Sequence, residues 1–86
     1  MPDFIIESPH TKEECLTALD QALADNNLST FKYGCGSGDH TAYALVSASS
    51  ESEARRLVPR LVRDKAHVRP VGPITAEQVR QYHTAA

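Results

Sequence analysis

The sequence predicts an α+β domain. Four antiparallel strands are backed on one face by two helices, in the order β-α-β-β-α-β, and a short helix closes the chain. Three observations carry this. Short runs with two-residue alternation bracket segments whose apolar residues recur at helical spacing. Each helical segment opens on a capping box: Thr11 with Glu14, Ser50 with Glu53, and Thr75 with Gln78. The glycine-rich stretch "YGCGSGDHT" (33–41) falls between the second and third strands, as a hairpin connection should.

Taken in order, "DFIIES" (3–8) is a short strand. In "HTKEECLTALDQALADNN", residues Cys15, Leu16, Ala18, Leu19, Ala22 and Leu23 form one apolar helical stripe. His10 and Cys15 take the staple positions N′ and N4, and Asn26-Asn27 ends the helix, since asparagine tolerates the left-handed cap. "STFKYGCG" (29–36) puts Phe31, Tyr33 and Cys35 on one face of a strand. "HTAYALVSAS" (40–49) puts Thr41, Tyr43, Leu45 and Ser47 on one face and His40, Ala42, Ala44, Val46 and Ala48 on the other. The small residues of that second set suit a helix packed closely above them.

"SESEARRLVPRLVRDK" (50–65) carries Ala54, Leu57, Val58, Leu61 and Val62 as its stripe. Pro59 removes a helical amide, so a kink is expected, or a break with Pro59 restarting the helix at its first position. "AHVRPVGP" (66–73) is the last strand, and Pro70 assigns it to a sheet edge. "ITAEQVRQYH" (74–83) is the closing helix, with Ile74 and Val79 at its staple positions.

This order is the ferredoxin-like split βαβ arrangement, a single domain over 1–86, with strand order 4-1-3-2. Two helices cover one sheet face. The other is expected to carry Phe and Tyr side chains with His67 and Arg69, and so to drive a homodimer through the open sheet faces. An 86-residue chain holds one small core, which makes such association a natural source of stability.

Composition narrows the function classes. The chain is 41% hydrophobic and 23% charged, as in ordinary globular proteins. Its unbroken apolar runs, such as Phe4-Ile5-Ile6 and Ala44-Leu45-Val46, are far too short to span a membrane. "MPDFIIES" has neither the basic nor the long apolar segment of a secretory signal, so a cytoplasmic location is expected, with Cys15 and Cys35 as free thiols. The net charge of −2 divides unevenly: residues 1–50 hold seven acids and two bases, residues 51–86 four acids and seven bases. The basic cluster Arg55, Arg56, Arg60, Arg63, Lys65 and Arg69 reads first as a solvated helix face and second as an anion site. The net acidic balance and the lack of an aromatic-basic signature on the central strands argue against nucleic acid.

"TKEECLTALDQALA", "YGCGSGDHTAYALVSASSESEARRLVP" and "ITAEQVRQYH" resemble short bacterial proteins of unknown function in the dimeric α+β barrel group, near the muconolactone isomerase-like and small nickel-binding ferredoxin-like proteins. The resemblance implies a dimer and assigns no reaction.

Chemistry centres on a few residues. Cys35 is either a reactive thiol, with Lys32 or His40 nearby, or an inert half-buried residue. Asp39 and His40 point to opposite faces if the strand is regular, which makes Asp39 a turn former and leaves His40 free to line a cleft. The glycines fit a bulged, twisted hairpin better than an anion nest. Metal binding requires His10, His40, His67, His83, Cys15 and Cys35 to converge. None of these has tight ligand spacing, and Cys35 with His40, five apart across a turn, is the best pair. Metal and cofactor are therefore left undefined.

Two function classes follow. One is a non-catalytic dimer that binds or senses a small molecule or a metal. The other is a cofactor-independent isomerase or monooxygenase, with His40 as general acid/base, Asp39 or Tyr43 assisting, Cys35 lining the pocket, and Arg63 or Arg69 holding a substrate carboxylate.

Overall fold

The structure, a computed structural model, describes residues 1–85. Strand β1 (Asp3–Pro9) leads into helix α1 (Lys12–Ala24); a turn of 3-10 helix (Leu28–Thr30) precedes β2 (Lys32–Tyr33); a second such turn (Cys35–Ser37) joins it to β3 (Thr41–Ser47). Helix α2 (Glu51–Arg55), a 3-10 helix (Arg60–Lys65), strand β4 (His67–Val71) and helix α3 (Ala76–Ala85) complete the chain. The strands form one antiparallel sheet in the order β2-β3-β1-β4, which puts β4 and its Pro70 at an edge.

Alternation along β1 and β3 decides which face is buried. Phe4, Ile6 and Ser8 point under the helices with Ala42 and Ala44, while Ile5, Tyr43 and Leu45 point away. The alanines of β3 meet Ala18 of α1 and Ala54 of α2 within a single core that also holds Val58, Val62 and Val68. Small residues on both sides bring the helices close to the sheet and leave little void.

The helices differ from the sequence reading in three ways. The buried stripe of α1 is Ala18 and Ala22 with half-buried Cys15 and Leu19; Leu16 and Leu23 are exposed, because the close approach through alanine leaves the larger side chains at the rim. The second helical segment breaks at Pro59, whose extended ψ of 141° places it just before the 3-10 helix rather than at that helix's first position. Two arginines bind the carbonyls around this break: Arg55 Nη1 donates to Arg63 and Ala66, while Arg63 donates through Nε to Val58 and through Nη2 to Arg56. Part of the basic cluster is thus structural.

The capping boxes at Thr11 and Thr75 form in both directions. At Ser50 only the serine half forms, and the Glu53 carboxylate accepts from Ser49 instead.

The second strand is far shorter than the alternation in 29–36 suggested. Phe31 turns into the core, and Tyr33, whose hydroxyl donates to the Leu28 carbonyl (2.9 Å), shares the helix-covered face with its pairing partner Ala42. Neither aromatic reaches the open face, where Tyr43 stands with Ile5, Leu45 and Val71, all partly exposed.

Candidate metal centre

The β1–β3 ladder pairs residues whose numbers sum to fifty, ending at Pro9 with Thr41. One step further the His10 amide donates to the His40 carbonyl (2.9 Å), so the two histidines are cross-strand neighbours at the end of the sheet. Both continue the parity of Ser8 and Ala42 and face the helix layer. Their rings meet edge-on with centroids 5.9 Å apart.

Two local devices bring sulfur to this pair. Thr11 caps α1, so Cys15 lies one turn into the helix, on the face above His10. Across the hairpin, the Gly34 amide donates to the Thr41 carbonyl (3.0 Å), and the Gly34 carbonyl accepts from Ser37 and Asp39. This turn carries Cys35 back toward His40. It depends on glycine at 34, where a Cβ would lie 2.6 Å from the Asp39 carbonyl oxygen. Gly38 closes the turn in the left-handed region at φ 89°, which only glycine adopts freely.

The result is a cluster of two thiols and two imidazoles. One ligand-capable atom from each of His10, Cys15, Cys35 and His40 lies within 4.8 Å of all the others. The sulfurs are 3.4 Å apart, and Cys35 Sγ is 4.0 Å from His10 Nε2. All four residues are half-buried. Nδ1 of His40 is fully buried and, among the described residues, bonds nothing. A buried polar atom without a partner is uncommon and calls for a physical explanation. The hydrogen bond between the two sulfurs, followed by partial burial, holds the Cys15 thiol above its usual range. Burial, and then the charge of Cys35, raises the Tyr33 phenol.

The other residues singled out from the sequence do not join this cluster. Asp39 is exposed, and its carboxylate accepts from the Tyr43 hydroxyl (2.9 Å) on the open side of the sheet, away from the ring of His40. That bond, followed by one from Thr41, lowers the Asp39 carboxyl. The bond to Asp39, followed by burial, raises the Tyr43 phenol. The Arg63 guanidinium is committed to backbone carbonyls. Arg69 is exposed opposite Ile5 on the open face. His67 is likewise exposed, opposite Glu7, and His83 lies in α3. Four of the six histidine and cysteine side chains considered for a metal therefore converge.

Comparison with known proteins returns no match to a protein-family model, a curated protein or a solved structure. The functional reading rests on the geometry. Among the described residues, no helix is long and apolar enough to cross a membrane.

Proposed function

We propose that this protein is a non-catalytic binder of a transition metal, held by His10, Cys15, Cys35 and His40 in a Cys2His2 site. The observation that carries the reading is the convergence of four ligand atoms within 4.8 Å. A tetrahedral ion with bonds of about 2.3 Å to sulfur and 2.0–2.1 Å to nitrogen needs ligand separations of roughly 3.3–3.8 Å. The 3.4 and 4.0 Å contacts already lie near that range. Two thiolates with two imidazoles suit zinc above harder ions. Four protein ligands leave no open position for substrate, which favours a structural or sensing role over hydrolysis.

The test is titration calorimetry of the reduced protein with zinc, nickel and copper. One saturable site per chain is expected for zinc. Structural zinc sites are worth about 10–16 kcal/mol, so loss of one ligand in four, as in His40→Ala, should weaken binding by about 3 kcal/mol, on the order of a hundredfold. Cobalt substitution reads the geometry: a spectrum of octahedral type, or one without sulfur-to-metal absorption, would sink the proposal.

We further propose that the chain is a ferredoxin-like domain that pairs through its open sheet. The strand order supports it, as do the apolar Ile5, Tyr43, Leu45 and Val71 on the uncovered face. Light scattering at micromolar concentration should give about twice the 9.4 kDa chain mass, and Leu45→Glu should return it to the single chain. A 9.4 kDa species for the unmodified protein removes the dimer.

A further inference from the structure

The two sulfurs of the cluster, 3.4 Å apart, stand closer together than the roughly 3.8 Å at which a tetrahedral metal would hold them. We infer that Cys15 and Cys35 are a redox couple, and that their oxidation by a peroxide to a disulfide expels the metal. The inference rests on the metal-site reading above.

Three observations support it. The sulfurs are in direct contact at 3.4 Å, while twenty residues separate them in sequence. Both are free thiols and both are only half-buried, so a small oxidant has access. Cys35 sits on an exposed glycine-rich turn, where a side chain added at Gly36 or Gly38 would meet nothing within 4 Å, so the approach to it is open.

Geometry makes the two states exclusive. A disulfide needs its sulfurs at about 2.05 Å, whereas a tetrahedral metal holds them roughly 3.8 Å apart. The relaxed separation of 3.4 Å lies between these. Chemistry agrees, because a metal ligand must be a thiolate and a disulfide sulfur carries no charge. His10 and His40 alone then supply only two ligands.

The step balances as follows. One thiolate attacks a peroxide oxygen, the O–O bond breaks, and a sulfenic acid forms with release of hydroxide. The second thiolate attacks that sulfur, the S–S bond forms, and a second hydroxide leaves. Hydrogen peroxide takes up two electrons and, with two protons, becomes two waters; the metal leaves as its unchanged divalent ion.

The experiment treats the reduced, zinc-loaded protein with hydrogen peroxide in the presence of a chromogenic zinc chelator. The expected result is one zinc released per disulfide formed, a loss of 2 Da per chain, and a non-reduced proteolytic fragment linking Cys15 to Cys35. A dithiol reductant with added zinc should restore the starting state. His40→Ala, which keeps both sulfurs, should still form the disulfide, and Cys35→Ser should not. If zinc binds but peroxide leaves the thiols reduced, or takes them to oxyacids without a cross-link, the redox inference is overturned and the metal site stands. If the reduced protein takes up no zinc, the metal reading fails, and metal release fails with it.

Discussion

Replacing Gly34 with alanine tests how the hairpin builds the cluster. The new Cβ would lie 2.6 Å from the Asp39 carbonyl oxygen and 3.2 Å from the Asp39 Cβ. Relief to ordinary contact needs a shift of about 0.7–1 Å, because non-bonded heavy atoms prefer roughly 3.5 Å. The obstacle is backbone, so no side-chain rotation can yield. The shift must disturb the Asp39-to-Gly34 bond at 3.1 Å or the Gly34-to-Thr41 bond at 3.0 Å. One weakened hydrogen bond and a strained contact together cost about 1–3 kcal/mol. In a domain of this size that lowers the melting temperature by roughly 5–20 °C. Gly36 is the control, because its added Cβ meets nothing within 4 Å; Gly36→Ala should stay within about 0.5 kcal/mol of the unmodified protein. Scanning calorimetry on the three proteins, with a zinc titration of each, reads both stability and site. Equal melting temperatures for the two alanine variants would refute the reasoning, as would a destabilised Gly34→Ala that binds zinc unchanged.

Three further outcomes follow from particular contacts. Lys65 and the capping bonds from Thr11 hold the Glu14 carboxyl down at about 2. A depressed carboxyl stabilises the fold above its unfolded value, about 4.3, and that contribution fades as pH falls toward about 2. Thermal melts across this window should therefore show a steeper acid loss for the unmodified protein than for Glu14→Gln, and parallel curves would contradict the assignment. Val62, 1% exposed, anchors the 3-10 helix in the core; Val62→Ala should cost about 1–3 kcal/mol in urea unfolding, and a change under about 0.5 kcal/mol would mean the segment is not packed as described. Asp39→Asn removes the charged acceptor that raises the Tyr43 phenol. Ultraviolet titration should then show a tyrosine ionising at lower pH, and an unaltered titration would break the link.

The sequence carried the strand and helix order well because periodicity and caps agreed along most of its length. It misjudged the second strand. Ser29 and Thr30 on one side and the glycines on the other favour local turns over ladder pairing, so the apparent alternation shrinks to Lys32 and Tyr33. The candidate site was legible in halves. The staple spacing of His10 with Cys15 and the hairpin spacing of Cys35 with His40 are both sequence features. What joins them is the register of β1 against β3, a long-range pairing no local spacing reveals. Counting back from that register would have set His10 beside His40. Arg63 is the opposite case: its charge is visible in the sequence, but the carbonyls it binds appear only once the helical segment breaks before Pro59.

The brevity of β2 has a consequence for how this molecule could be observed. Two paired residues hold that edge of the sheet, and the chain leaves it directly into the turn bearing Cys35. So short a ladder opens far more readily than the rest of the sheet, which makes the Gly34 amide an early site of deuterium uptake. Anything that ties Cys35 to His10, Cys15 and His40 must first fasten this edge. Protection at that one amide would therefore report occupancy of the cluster.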